Sequence, residues 1–313
     1  MRHADEIQSH TGDTRTVLKI TLASKGASSH APGAGFCTDP AATPVVDLVD
    51  DGETGIMGID LQEQWFRGLT ELRFAGTPKR IRALLGGETV VDTRDALLVY
   101  EPRRVVPWYA VPPGDLRLDL TEHDPLPVPE LRGSVLPPHH NEWHTVPGRS
   151  LHLDGHGEVA YRPDDPDLGG RVVLHWDPFE WLEEDEPVMG HPHDPFKRID
   201  VLRSSRHVRV QVGGVTVAES SRPMMLIETA LPVRWYLPRQ DVRLDLLTPS
   251  ENHTICAYKG VASYLSTNGV PDVAWYYPDP LHDAFPVKNL ISFRRPAVVY
   301  VDEAPVDTSM PGD

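Results

Sequence analysis

Apolar and polar positions alternate over Val208-Arg-Val-Gln-Val212, break at Gly213-Gly214, and resume over Val215-Thr-Val-Ala-Glu219. A period of two marks a half-buried strand, and two consecutive glycines supply the positive φ angles of a tight hairpin turn. The stretch therefore predicts an antiparallel hairpin with one face inward. A second hairpin is predicted from Ile81-Arg-Ala-Leu-Leu85, Gly86-Gly87 and Glu88-Thr-Val-Val-Asp92. One helix stands out: Asp60 with Glu63 fits a capping box, and Leu61, Trp65, Leu69 and Leu72 fall on one face. A short strand is also predicted over Val17 to Leu22.

The two hairpins open two longer matching segments. Trp108-Tyr109 leads through Pro112 and Pro113 to Asp115-Leu-Arg-Leu-Asp-Leu120, and Trp235-Tyr236 leads through Pro238 to Asp241-Val-Arg-Leu-Asp-Leu246, with spacing that differs by one residue. Val159-Ala-Tyr161 matches Val273-Ala-Trp275, and Val172 to Val188 matches Leu290 to Val306. A match this long and in this order predicts one domain carried twice. The expected division is a flexible extension over 1–59, an amphipathic helix over 60–75, a first β domain over 76–188, a Pro-stiffened linker over 189–200, a second β domain over 201–306, and a tail over 307–313.

Composition adds limits. The chain has 313 residues, enough for two domains, and 31 Pro with 24 Gly favour short strands joined by turns. A net charge of -16 repels phosphate backbones and anionic bilayers, so neither nucleic acid nor a membrane is an expected partner. The two cysteines, Cys37 and Cys256, are too few for a disulfide framework or a four-cysteine zinc site. With no apolar leader or membrane-length run, they predict free thiols in a cytoplasmic protein. Oligomeric state is not legible.

The repeats part company at Cys256-Ala-Tyr258-Lys259-Gly260-Val-Ala262-Ser-Tyr264; the first has Thr145-Val-Pro147-Gly148-Arg-Ser150 there, without thiol or amine. A lysine near a thiol raises its reactivity where the side chains converge, and a lysine also anchors anionic ligands. The plainer alternative is a buried structural cysteine beside a snorkelling lysine. Glu228, among Met224, Met225, Leu226 and Ile227, is a candidate general acid or base, or else an ion-pair partner of Arg222. Asp115/Arg117/Asp119 and Asp241/Arg243/Asp245 are read as solvated strand faces opposite leucines. The histidines of one loop (His139, His140, His144) and of the linker (His191, His193, with Asp194) fit no zinc spacing, and no metal is expected. Phosphate-binding, dinucleotide, serine-hydrolase and zinc-protease motifs are absent from the sequence.

These residues carry a resemblance. Ser204-Ser-Arg-His-Val-Arg-Val210, Ala218-Glu-Ser-Ser-Arg-Pro223, Glu228-Thr229, Tyr236-Leu-Pro-Arg239, Asp241-Val242, the Cys256–Tyr264 segment and Ala274-Trp-Tyr-Tyr277 together resemble the bacterial and fungal domain-of-unknown-function family numbered 427, in a two-domain form. The resemblance covers roughly Pro78 to Val306. It implies a mainly β fold of two tandem small antiparallel domains, β-tent-like and similar to methionine sulfoxide reductase B. Zinc held there by paired cysteines has no counterpart in this sequence. The family is sometimes labelled nucleotidyltransferase-like, but no phosphate-cradling loop or spaced carboxylate pair for magnesium supports the label.

The sequence thus predicts a small-molecule site in the second domain, with Cys256, Lys259 and Glu228 as candidate chemical groups and Arg222, Tyr236, Tyr258, Tyr264 and Trp275 as ligand contacts. The alternative is a non-catalytic binding or assembly module built from a pseudo-symmetric pair, and the choice between enzyme and module stays open at this point.

Overall fold

The computed structural model describes residues 61, 64–65, 68–129, 135–136, 140–267 and 269–309. The expected extension, the Val17–Leu22 strand, Cys37 and His139 lie outside the described residues. Of the predicted helix, Leu61, Gln64 and Trp65 are helical and Gly68–Thr70 forms a 3-10 turn. It does not reach residue 75, because Arg73 already pairs with Tyr100 in a strand ladder. Leu69 is buried and Leu72 packs beside Val99 and Trp108, whereas Leu61 is exposed.

The fold is mainly β. The first half contains β1 (Arg73–Gly76), β2 (Ile81–Leu85), β3 (Glu88–Thr93), β4 (Leu97–Tyr100), β5 (Trp108–Val111), β6 (Thr121–His123), β7 (Gly148–Leu153), β8 (Gly157–Pro163), β9 (Val172–Leu174), β10 (Glu180–Glu183) and β11 (Glu186–Val188). The second contains β12 (Ile199–Arg203), β13 (Val208–Val212), β14 (Val215–Ser220), β15 (Met224–Glu228), β16 (Arg234–Tyr236), β17 (Thr248–Cys256), β18 (Gly260–Thr267), β19 (Val270–Tyr276), β20 (Ser292–Phe293), β21 (Val298–Val301) and β22 (Ala304–Val306). Both Gly-Gly hairpins form as expected, with φ of 59° and 85° at Gly86 and Gly87, and 55° and 81° at Gly213 and Gly214.

Strand order in the first half is β1-β4-β5-β9-β8-β7-β6 and β11-β10-β2-β3; in the second it is β12-β15-β16, β17-β18-β19-β20 and β14-β13-β21-β22. A bridge between Leu237 and Ile291 joins the β16 and β20 edges, so the orders correspond strand for strand. Each half closes on an apolar core between its sheets. The first gathers Ile81, Val91, Leu98, Tyr109, Val159 and Trp181. The second gathers Val208, Val217, Trp235, Leu237, Val273 and Phe293.

Strand pairing resolves the mismatch of one residue between the two matching segments. Leu98 pairs with Tyr109, and both lie in the first core. Met225 pairs with Trp235, and both face the second core. Tyr109 therefore corresponds to Trp235 rather than to Tyr236, and counting on from these pairs sets Glu101 at the position of Glu228. A shift of one residue carries a side chain to the opposite face of a strand, so the second tyrosine of the matching dipeptides leaves the core and joins Leu226, Tyr264 and Tyr277 on the other face.

One expectation is corrected. The Asp-x-Arg-x-Asp segments are not strands: Pro112 and Pro238 fix the entry into 3-10 turns at Pro113–Asp115 and Arg239–Asp241, and a further turn spans Leu244–Leu246. The segment expected as a linker makes specific contacts. The His193 backbone N–H donates to Glu183 Oε1 at 2.9 Å, its Nδ1 lies 3.0 Å from Glu183 Oε2, and its Nε2 lies 2.9 Å from the Ala257 carbonyl oxygen. Glu183 also accepts from Lys79 Nζ and the Tyr109 hydroxyl, each at 2.5 Å. One buried carboxylate at the end of β10 thus ties the first half to a linker residue that holds the second.

Candidate functional site

β15, β16, β18 and β19 line a cavity of about 520 Å³ in the second half. Its inner wall holds Glu228, the last residue of β15, and Lys259, just before β18; the two are ion-paired, with side chains only 10% and 12% exposed. Gly260, next to Lys259 and at φ 90°, turns the chain into β18 where a β-carbon would stand 3.4 Å from the Asp279 carbonyl oxygen. Burial acts to lower the Lys259 pKa, but the adjacent Cys256 sulfur and Glu228 carboxylate outweigh it and hold the ammonium above its usual range. Cys256 is a free, half-buried thiol within hydrogen-bonding reach of that ammonium.

Aromatic rings form the sides. The Tyr236 hydroxyl accepts from Trp275 Nε1 at 3.1 Å with the rings edge to face, and Tyr264 shares a 2.8 Å hydrogen bond with the Thr254 hydroxyl. Three arginines complete the lining. Arg234 lies over the Trp275 ring and donates to the Thr308 carbonyl oxygen at 2.7 Å. Arg294 lies over Tyr264, and Arg295 stands exposed beside Asp307. Four cationic side chains, two of them paired with Glu228 and Asp307, leave this cavity with an excess of positive charge on a chain whose net charge is -16.

Of the residues expected from sequence, Glu228, Lys259, Tyr236, Tyr264 and Trp275 line the cavity, and Cys256 sits behind Lys259. Arg222 does not line it: its guanidinium bonds both carboxylate oxygens of Asp241 at 3.0 and 3.1 Å, and Glu228 is paired elsewhere. Tyr258 points to the linker, where its hydroxyl accepts from the Asp194 backbone N–H at 2.8 Å. Arg234, Arg294 and Arg295 escaped the sequence reading. By strand register they differ between the two halves just as Cys256 does: Trp108 stands at the position of Arg234, and His175-Trp176 at that of Arg294-Arg295.

At the corresponding corner of the first half, Glu101 is buried and accepts from the Thr145 N–H at 2.8 Å; His144 Nδ1 lies 3.0 Å from its other oxygen. His144 Nε2 lies 2.8 Å from Glu158 Oε1, and its ring stacks on Tyr161 with centroids 3.6 Å apart. Burial acts to lower the His144 pKa, but the two carboxylates outweigh it and raise it, whereas burial takes the neighbouring His175 down to about 4.

Residues 200–307 match the model of a family described as a domain of unknown function, DUF427, which carries the label NTP_transf_9. The second half is a DUF427 domain. Comparison with curated proteins finds no match. The DUF427 boundaries enclose every residue of the cavity except Thr308, as well as both Cys256 and Arg222. Among the described residues no helix is long and apolar enough to cross a membrane.

Proposed function

We propose that the DUF427 half binds a small organic anion with a flat, unsaturated body in the cavity over Glu228 and Lys259. The observation that carries this is the convergence of Arg234, Arg294, Arg295 and Lys259 on an aromatic-walled hollow of an otherwise acidic protein. Guanidinium groups match carboxylate, phosphate or sulfonate oxygens in a planar fork, and Tyr236, Tyr264 and Trp275 offer surfaces for a ring or double bond. Local positive potential in an acidic field draws such anions to this place.

Glu228, Lys259 and Cys256 are the groups for any chemistry done there. The ammonium lies between a carboxylate and a thiol, an arrangement that suits proton transfer or thiol attack on a polarised ligand. The first half, with the same strand order, is on this reading a second copy of the domain whose corner lacks thiol and amine. The alternative of a binding module without catalysis rests on the tight Glu228–Lys259 pairing, which also explains both residues as structural. A free thiol fits a reducing compartment, and we assign the protein to the bacterial cytoplasm.

The test is calorimetric titration of the full chain with 1-naphthoate and phenyl phosphate, with neutral 1-naphthol as control. The anions are expected to bind, with affinity falling in Lys259→Met and Arg295→Gln and persisting in Arg222→Ala. Equal binding of naphthol, or unchanged affinity in the first two variants, refutes the reading. Modification of Cys256 by a thiol reagent that is slowed by bound anion separates an active centre from a module.

A further inference from the structure

We infer that the first half holds a divalent transition-metal ion through His144, Glu158 and His175. The three residues come from the loop before β7, from β8 and from just beyond β9, and one donor atom of each lies within 4.8 Å of the others. His144 Nε2 is 2.8 Å and His175 Nε2 is 3.5 Å from the same Glu158 oxygen. Donors bound at about 2.0–2.2 Å to one tetrahedral ion stand roughly 3.3 Å apart, so these separations bracket the required spacing.

Independent observations point to a ligand at this place. His175 is buried, and among the described residues its Nε2 has no hydrogen-bond partner. A buried imidazole nitrogen left so is costly unless something completes it. His144 presents Nε2 inward because its other nitrogen is held by Glu101 Oε1 at 3.0 Å, the carboxylate–histidine support that orients metal-bound imidazoles. Glu101 is itself fixed by the Thr145 N–H. The Trp108 and Tyr161 rings wall the histidines. Two carboxylates, Glu101 and Glu158, stand at this corner beside one nearby guanidinium, Arg104. His152, partly exposed, places Nε2 3.9 Å from the second Glu158 oxygen and is the candidate for a fourth ligand.

Two imidazoles and one carboxylate favour zinc or a similar first-row ion over magnesium or calcium, which take all-oxygen shells. The place is telling as well. By strand register Glu101 corresponds to Glu228, and the pairs Ala160–Leu174 and Ala274–Phe293 set His175 at the position of Arg294. The corner that gathers cations around a cavity in one half gathers metal donors in the other.

The test uses the full chain, stripped with a chelator and titrated with zinc against a chromophoric competitor. One equivalent is expected to bind, magnesium is not expected to displace it, and cobalt(II) should give the intense visible absorption of a tetrahedral site. His175→Gln and Glu101→Gln should each weaken zinc by roughly 10–100-fold, whereas Lys259→Met should leave it unchanged; circular dichroism confirms that each variant is folded. Failure of the wild-type chain to take up one equivalent overturns the inference whatever the variants do. So does undiminished affinity in folded His175→Gln, which would mark His144 as a proton-sharing bridge between Glu101 and Glu158.

Discussion

Replacing Glu183 by Gln isolates the clasp between the halves. The carboxylate is buried, with its side chain 8% exposed, and receives Lys79, the Tyr109 hydroxyl and both the backbone N–H and ring of His193. Burial by itself would raise its pKa, but the bonds from His193, Lys79 and Tyr109 prevail and bring it from an ordinary 4.5 to about 2. Each pH unit of that difference is worth about 1.4 kcal/mol of folding free energy, which sets a ceiling of roughly 3 kcal/mol. Lys79 and His193 are 34% and 37% exposed, so water screens part of this, and Glu183→Gln should cost about 2 kcal/mol near pH 6. A carboxylate with a depressed folded pKa stabilises above its unfolded value and loses that contribution as pH falls from about 4.5 toward 2. His193 has its pKa raised, chiefly by Glu183; its share is present below its unfolded pKa and fades as pH rises through the folded one. The deficit of the variant should therefore be largest between about pH 5 and 6.5, shrink by pH 3, and shrink in part by pH 9. Urea unfolding followed by tryptophan fluorescence at those pH values measures it. A variant within about 0.5 kcal/mol of wild type at pH 6, or a deficit that stays constant down to pH 3, would refute the reasoning.

Gly260→Ala forces a β-carbon onto a backbone at φ 90° and against the Asp279 carbonyl oxygen; we expect a loss of about 2 kcal/mol by urea unfolding, together with weaker anion binding, because Lys259 is the preceding residue. Arg222→Ala removes only an exposed contact with Asp241 and should leave both the urea midpoint and naphthoate affinity unchanged, which calorimetry of the same variant checks. Tyr236→Phe deprives the half-buried Trp275 Nε1 of its acceptor and should cost about 1–2 kcal/mol, with a change in tryptophan emission that reports the exposed indole.

The hairpins were legible because alternation and paired glycines each have one physical solution. The register between the matching segments was not legible: tryptophan and tyrosine both fit a core position, and nothing in a Trp-Tyr pair says which ring faces inward. The one-residue difference in spacing between Trp108 and Asp115 and between Trp235 and Asp241 was the trace of that ambiguity. Cys256 and Lys259 stand out by being present in one segment only, and Glu228 by its apolar neighbours. Arg234 and Arg294 had the same signature and were passed over for want of a motif around them. His175 and Glu158 were beyond a local reading, since ligand spacing is recognised along a loop and these donors meet His144 only after three strands have paired. The Asp-x-Arg-x-Asp segments misled because alternation can also arise in a chain that turns through 3-10 geometry, with Leu116, Leu118, Leu120 and Leu246 packed on the cores and Leu244 exposed.

The clasp at His193 also bears on where this polypeptide can be cut. The stretch that matches DUF427 starts at residue 200, yet the Ala257 carbonyl and the Tyr258 hydroxyl take their partners from His193 and Asp194, upstream of that limit. A fragment trimmed to the family boundary would expose these groups to water on the stretch that leads into Lys259. An expression clone that begins before Gly190 keeps the brace on the segment bearing Cys256, at the modest expense of a dangling leader.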